Sequence, residues 1–175
     1  MLDYIAIGKA TCRIVEAVTG VTAFIADPGV GAPDGTYCAV RVQTEDGFGQ
    51  AMKSLEVAGQ DFTDITKTQK VVTVSLNFYR DGAMVYAGAL REANKRYPVR
   101  GILYLAKLGW QRLGPINNLT ALLNGNMEER AQVNLYLYAE DTVEDTVNRA
   151  RKVKFTTSDE DGHVLAQGEV NGLSS

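Results

Sequence analysis

The stretch that decides the fold is Val71-Val72-Thr73-Val74-Ser75-Leu76-Asn77-Phe78-Tyr79. From Val72 onward its even-numbered residues are apolar, and most of its odd-numbered residues are polar. Successive side chains of a strand point to opposite faces, so this alternation predicts a strand with one buried face. A sheet with one apolar face needs helices or a second sheet to cover that face. The pattern therefore favours a layered fold.

The chain before this strand predicts its partners in a sheet. Residues 52–58 indicate a strand, and residues 59–67 are polar and rich in turn-forming types. Together with the strand that ends at Tyr79, they predict a long β-hairpin. Residues 37–44 alternate and predict a further strand, and residues 46–49, Asp-Gly-Phe-Gly, predict a turn after it.

Two main helices and one short helix are predicted to flank the sheet. Asp3 can cap a first helix that ends before Gly20, and Asp81 can cap a second helix that runs to about Lys95. The second helix carries a face of small residues, chiefly alanine, which allows close approach to a sheet. Pro98 can open the short third helix.

Two strands are predicted after the third helix. Residues 110–113 indicate an extended segment, and Gly114-Pro115 is expected to end it. Residues 127–139 alternate cleanly, with Tyr136 and Tyr138 on the more polar side. The acidic segment 141–145 is expected to break that strand.

The C-terminal part of the chain predicts a final β-hairpin. Residues 151–157 and 163–170 are joined by a turn sequence that contains glycine. The complete order of elements predicts one α+β domain over residues 1–175, with a mixed or antiparallel sheet and a long hairpin. The terminal hairpin, at about residues 149–170, is expected to be an extension of this domain.

The composition excludes some classes of protein and leaves others open. The chain has 175 residues, of which 45% are hydrophobic and 22% are charged, as in an ordinary globular protein. Its net charge of −3 argues against a broad basic face for nucleic acid. The N-terminus lacks the basic start of a signal peptide, and no apolar run approaches membrane-spanning length. We expect folding in the cytosol, without a membrane partner.

The residues that could carry chemistry are few and badly placed for it. His163 is the only histidine, so a metal site or a catalytic triad would have to use it. Cys12 and Cys38 lie in apolar surroundings, where two buried thiols are favoured over a disulfide and over a reactive nucleophile. We predict no catalytic residue, no metal site and no cofactor.

Other motifs have simpler structural interpretations. Gly29-Val30-Gly31 lacks the lysine and hydroxyl residue of a phosphate-binding loop, and residues 159–162 are too short for a calcium loop. Glu128 and Glu129 are adjacent on an extended chain and would point to opposite faces. Arg130 is expected to form a salt bridge, within the chain or across an interface. A solvated face is favoured over a nucleic-acid contact for the basic cluster Arg149, Arg151, Lys152 and Lys154.

One stretch resembles a known family. Asn118-Leu119-Thr120-Ala121-Leu122-Leu123, followed by Glu128-Glu129-Arg130-Ala131 and an alternating strand through Leu135, is similar to the neck or tail-terminator proteins of tailed bacteriophages. Two further segments match the family pattern more weakly and occur in the same order along the chain: Gly59-Gln60-Asp61 and Tyr79-Arg80-Asp81-Gly82-Ala83. The chain departs from the family in its extended terminal hairpin and in the glycine-rich segment before Tyr37.

The resemblance implies a structural role in the virion. Such proteins form rings, commonly hexamers, that close the head-proximal end of the tail tube and join it to the connector. The implied partners are further copies of the chain, the tail-tube protein, the connector or adaptor protein and a sheath protein, with genomic DNA passing through the lumen. Assembly would occur in the bacterial host cytoplasm. The candidate interface residues are Gln60, Asp61, Phe62, Arg130, Tyr136 and Tyr138.

Two alternatives remain open at this point. The first is a tail-tube or baseplate-type subunit of a phage-like machine, which would stack into long tubes. The second is a small-molecule-binding or enzymatic α+β domain, which would need an enclosed pocket with converging polar groups. For Tyr136 and Tyr138, packing under the protein's own helices competes with an interface role.

Overall fold

The computed structural model describes residues 1–26, 31, 33–58, 61–123, 126–147 and 152–171. The helices are α1 (Tyr4–Thr19), α2 (Ala83–Ala89) and α3 (Tyr97–Leu105), with a 3₁₀ segment, Leu90–Lys95, between the last two. The strands are β1 (Thr22–Ile25), β2 (Tyr37–Ala58), β3 (Asp61–Tyr79), β4 (Leu108–Asn118), β5 (Ala121–Leu123), β6 (Asn126–Glu128), β7 (Arg130–Val147), β8 (Lys152–Ser158) and β9 (Val164–Asn171). No helix in these residues is long and apolar enough to cross a membrane.

The first helix begins and ends at the residues that the sequence predicts. The Asp3 carboxylate accepts a hydrogen bond from the Ala6 N–H at 2.9 Å and so satisfies a donor of the first turn. Gly20 has a φ of 71°, in the left-handed region, and its N–H donates to the Glu16 carbonyl at 2.9 Å. Glycine adopts this conformation without steric cost, so the helix stops there.

Five strands form one mixed sheet in the order β1-β2-β3-β7-β4, which confirms the predicted α+β class. β1 runs parallel to β2, and β4 runs antiparallel to β7. Tyr37 of β2 stacks on Tyr79 of β3, and Glu45 of β2 pairs with Lys70 of β3. Residue numbers therefore rise along β2 where they fall along β3. β2 and β3 are therefore antiparallel and form the predicted long hairpin. β5–β6 and β8–β9 are separate two-stranded sheets.

The core lies between one face of the five-stranded sheet and the helices. The apolar side of β3, which includes Leu76 and Phe78, is fully buried, as are Val133 and Leu137 of β7. Alanines of α2 and the 3₁₀ segment are buried beside them, which fits the predicted small-residue face. The helix layer adds Ile14, Val15, Ala83, Ala87, Leu90, Ala93, Val99 and Leu103 to the core.

The chain divides into two compact units. The first consists of residues 1–52 and 67–143, and it contains the three helices and the core. The second consists of residues 53–66 and 144–175, and it contains the β8–β9 hairpin. The hairpin confirms the predicted terminal strands. Its status as an extension of one domain over residues 1–175 stays a prediction.

Two predicted interruptions of the long hairpin are wrong. Residues 46–49 do not reverse the chain, because β2 runs without a break from Tyr37 to Ala58. The glycine-rich composition instead accommodates a local irregularity, since Gly49 has a φ of 72° inside the strand. The segment 59–67 is not mainly a loop, because β3 begins at Asp61. The polar residues here belong to a half-buried strand, in which Ile65 is buried.

Two further predicted strand ends are also wrong, each for a different reason. β4 continues through Gly114 and Pro115 to Asn118, with a register shift between Leu113 and Ile116. It is an edge strand, where the missing N–H of proline can face away from the ladder. β7 continues through the acidic segment 141–145 to Val147, because the Asp141 carboxylate is paired with the Lys70 ammonium at 2.9 Å.

The second helix differs from its prediction at both ends. Its N-cap is Gly82 in the left-handed region, rather than Asp81, and no side chain of its own caps it. The α-helix ends at Ala89, and the remaining predicted length to Lys95 is the 3₁₀ segment. The third helix carries a proline in its first turn, as predicted from Pro98.

Candidate functional site

The sheet face opposite the helices is polar, and we call it the polar sheet face. Strand alternation places the odd-numbered residues 73–79 of β3 and the even-numbered residues 130–138 of β7 on it. Thr73 and Ser75 are 8% and 1% exposed, so long neighbouring side chains cover them. The Ser75 hydroxyl oxygen accepts hydrogen bonds from the Gln132 and Asn77 amides, each at 3.1 Å. The face therefore carries a cross-strand polar network rather than isolated polar residues.

Arg130 is a central member of this network. Its Nη2 donates to the Asn77 side-chain oxygen at 3.1 Å, and its guanidinium carbon lies 4.9 Å from the centre of the Tyr79 ring. A salt bridge of Arg130 across an interface stays a prediction; within the described residues, its contacts are an amide hydrogen bond and a cation–π contact. Both partners belong to the same chain.

Glu129 joins the two sequence motifs that carry the resemblance. Its backbone carbonyl accepts the Arg80 N–H at 2.8 Å, and its carboxylate accepts the Gly82 N–H at 2.9 Å. The carboxylate therefore satisfies a donor at the start of α2 that Asp81 was predicted to satisfy. Residues 79–83 and residues 128–131 are distant in sequence but meet at the β3–α2 junction.

Arg80 extends this junction to the segment before β2. Its Nη1 donates to the carbonyl oxygens of Pro33 at 2.8 Å and Gly35 at 2.7 Å. The Thr36 hydroxyl donates to the Asp81 carbonyl at 3.1 Å. The guanidinium also lies 5.4 Å from the centre of the Tyr37 ring. The family-like motifs thus fix the local backbone around the edge of the polar sheet face.

Tyr136 and Tyr138 lie half-buried on the polar sheet face, so the alternative of packing under the helices is wrong. The Arg112 guanidinium carbon is 3.7 Å from the centre of the Tyr136 ring. Tyr138 lies opposite Gly109 of β4, and its ring is 5.8 Å from that of Phe48. Their role in an interface stays a prediction.

The structure describes only some of the remaining residues that the sequence proposes for an interface or a basic cluster. Gln60 lies outside the described residues, and for Asp61 and Phe62 the description is limited to their place at the start of β3. Arg149 and Arg151 of the basic cluster also lie outside them, as do Gly29 and Val30. The structure brings Arg130, Tyr136 and Tyr138 to one face of the sheet.

The groups that could be reactive are poorly suited to chemistry. Cys12 and Cys38 are free and buried, and burial raises the pKa of both thiols, that of Cys12 to about 11. The His163 side chain is 80% exposed beside Asp159, whose carboxylate accepts two backbone N–H groups of the hairpin turn. Within the described ranges, no three His, Cys, Asp or Glu side chains are grouped to hold a metal ion.

A charged cluster links α1 to three strands of the sheet. The Lys70 ammonium lies 2.9 Å from both the Glu45 and the Asp141 carboxylates, and the Tyr4 hydroxyl donates to Glu45 at 2.6 Å. The amino group of Met1 and Lys70 hold the pKa of Asp141 below its usual value. Hydrogen bonds from Tyr4 and Lys70 lower the pKa of Glu45. The same two carboxylates raise the pKa of Lys70.

This cluster predicts a specific acid sensitivity. A carboxylate whose pKa is lower in the folded state stabilises the fold above its unfolded pKa of about 4 and stops doing so as pH falls through the folded value. We expect the unfolding free energy to decline as pH falls from about 5 to 2, and Lys70→Met to make this decline shallower. Urea denaturation across that range measures it. Lys53→Met, at an exposed position, should keep the wild-type slope, and equal slopes for all three proteins would refute the assignment.

A family model described as phage neck terminator protein matches residues 6–161, which is most of the chain. The chain belongs to this family. The match runs from α1 to the turn between β8 and β9, so it includes the polar sheet face and the β3–α2 junction. It confirms the family that the sequence motifs indicated. The protein is therefore a structural component of the phage neck. A search of curated proteins found no match.

Sequence reasoning missed the residues that organise the junction. The sequence pattern offers Glu129 as half of a possible carboxylate pair and as part of the family motif, whereas in the structure its carboxylate accepts a hydrogen bond at the start of α2. Alternation predicts that Asn77 and Ser75 lie on the polar side of β3 but indicates no partner for either side chain. Three polar residues in a row on one side of an otherwise apolar strand were the available signal.

Proposed function

We propose that this protein forms a ring, of six subunits in the simplest case, at the head–tail junction of a tailed phage. The ring ends growth of the tail tube and joins the tail to the head connector. The observation that carries this proposal is the family match over residues 6–161. Its partners would be further copies of the chain, the tail-tube protein, the connector or adaptor, and the sheath protein if the tail is contractile.

Exposed apolar side chains support an assembling subunit. Along β2, Phe48, Met52 and Leu55 are 54%, 64% and 57% exposed in the single chain. Strand alternation places Leu55 on the face opposite Met52, so both faces of this part of β2 carry apolar side chains that are open to a neighbouring subunit. The hairpin of β2 and β3 therefore offers surface for contacts with neighbouring subunits or with the tube.

The charge balance suits a channel for DNA. A ring with strong basic contacts would bind the phosphate backbone and hinder its passage, and a net charge of −3 avoids this. Genomic DNA would pass through the lumen without sequence-specific binding. We also propose that the protein is not an enzyme, because its thiols are buried with raised pKa and its one histidine lies in an exposed turn.

Electron microscopy of the purified protein, alone and mixed with tail tubes, tests this proposal. We expect closed rings in solution and single rings at one end of each tube. In the virion, the same ring should lie between tube and connector after assembly in the host cytoplasm. A phage that lacks the protein should make tails of irregular length that do not join heads. Normal tails attached to heads in that phage would refute the proposal.

The same images separate the alternatives. Long tubes of the purified protein would indicate a tail-tube or baseplate-type subunit. A monomer that binds a small molecule would indicate the third hypothesis, a ligand-binding or enzymatic domain. The four described grooves are open to solvent and have volumes of about 290–430 Å³. Neither His163 nor Glu128 lines any of them.

A further inference from the structure

The outer side of α1 and α3 exposes aromatic, apolar and basic side chains together. Tyr97 and Tyr104 are two helical turns apart on one side of α3 and are 88% and 84% exposed. Leu105, which is 83% exposed, lines a groove between the helices with Lys9 and Arg13 of α1. We call this surface the α1–α3 face.

The α1–α3 face is basic as well as apolar. α1 contains Lys9 and Arg13 with one acidic residue, Glu16. Residues 96–107 contain Arg96, Arg100 and Lys107 and no acidic residue. Tyrosine and arginine around an apolar centre are the types enriched at protein interfaces. The surface therefore fits a partner that is apolar and acidic.

The turn end of the β8–β9 hairpin has the complementary character, whereas Lys152 and Lys154 make the other end of β8 basic. Every residue from 154 to 167 is exposed, so both faces of the hairpin are open in the single chain. Phe155, Val164 and Leu165 are 49%, 54% and 66% exposed. Glu160 and Asp161 lie in its turn, where Asp159 uses its carboxylate to hold the turn backbone. A two-stranded hairpin is at best marginally stable in water, so a partner surface would stabilise it further.

We propose that the β8–β9 hairpin of one copy binds the α1–α3 face of the next copy. This inference rests on the proposed ring. A ring requires a head-to-tail contact in which each subunit presents two different, complementary surfaces. The hairpin supplies apolar side chains and acidic groups, and the α1–α3 face supplies tyrosines, an apolar groove and basic groups. Opposite charges across such a contact also suppress incorrect pairings.

Charge reversal on each surface tests the contact. One variant carries Glu160→Lys and Asp161→Lys, and the other carries Lys9→Glu and Arg13→Glu; all four positions are exposed, and Lys9 and Arg13 line the groove. Each variant alone should need at least about tenfold more protein to assemble, because like charges then meet across the interface. An equimolar mixture should form mixed oligomers, and a chain with all four substitutions should assemble alone. Native mass spectrometry resolves these species.

A matched control and four outcomes make the test decisive. Glu144→Lys with Asp145→Lys reverses two exposed acidic residues outside the hairpin and should leave assembly unchanged. Wild-type protein that stays monomeric would overturn both the ring and the contact. Rings that form equally well in all variants would overturn the contact alone, and loss of tube capping in such rings would assign the surfaces to the tail tube. If only the chain with all four substitutions assembles again, and the equimolar mixture gives no mixed oligomers, the contact lies within one chain. That result would overturn the proposal.

Discussion

Phe78→Ala should lower the free energy of unfolding by about 3–5 kcal/mol, the cost typical of removing a buried phenylalanine ring. Phe78 is 0% exposed and lies in the core between β3 and the helix layer. The substitution removes apolar burial and leaves a cavity that the surrounding alanines and valines can fill only partly. Urea denaturation should give a lower midpoint with an unchanged slope.

Phe48 provides the control for this substitution. It lies in β2, is 54% exposed, and contacts the Tyr138 ring at a centroid distance of 5.8 Å. Phe48→Ala should cost less than about 1 kcal/mol, because an exposed aromatic pair contributes little. Equal losses at the two positions would contradict the assignment of Phe78 to the core. If Phe48→Ala instead weakens assembly, the effect belongs to the surface of β2.

Arg130→Ala should lower the free energy of unfolding by about 2–3 kcal/mol, from a charge-assisted hydrogen bond and a cation–π contact. The substitution leaves the Asn77 oxygen without its donor and uncovers the Tyr79 ring. Arg130→Lys keeps the charge but not the planar donor group, so it should recover only part of the loss. Thermal and urea unfolding of the purified variants measure the difference.

Arg112 is the matched control for Arg130. It also stacks on a tyrosine, with its guanidinium 3.7 Å from the Tyr136 ring centre, but its side chain is exposed. Arg112→Ala should therefore cost less than about 1 kcal/mol. Comparing the two alanine variants separates the free energy of stacking on a tyrosine ring from that of the cross-strand hydrogen bond. A loss at Arg112 as large as that at Arg130 would show that the hydrogen bond to Asn77 is unimportant.

Much of the fold was predictable because its signals are local. The capping of α1 by Asp3 and its end at Gly20 depend on a few neighbouring residues, and the alternation from Val72 to Phe78 identifies both faces of β3. The predicted strand ends failed where a distant partner decides the outcome. β7 passes through Asp141 because Lys70 neutralises it, and β4 passes through Pro115 because it is an edge strand.

The polar sheet face was only half predictable. Alternation places Arg130, Tyr136 and Tyr138 on one side of β7, which the structure confirms. The partner of Arg130 could not be predicted, because Asn77 is 53 residues away and the register of β3 against β7 depends on the whole sheet. For the same reason, the meeting of Glu129 with Gly82 is invisible in the sequence pattern, although both lie in motifs that mark the family.

The position of β7 between β3 and β4 has a consequence for synthesis of the chain. β4 is made before β7, yet β7 is its only neighbour in the five-stranded sheet. β7 begins 12 residues after β4 ends, so at about 5–20 residues per second β4 waits about 1–2 seconds for the start of its partner. Contacts such as Gln132 with Ser75, 57 residues apart, add a long loop to be closed. The nascent chain thus carries open strand edges until β7 emerges, and its solubility in the cell depends on that interval being short.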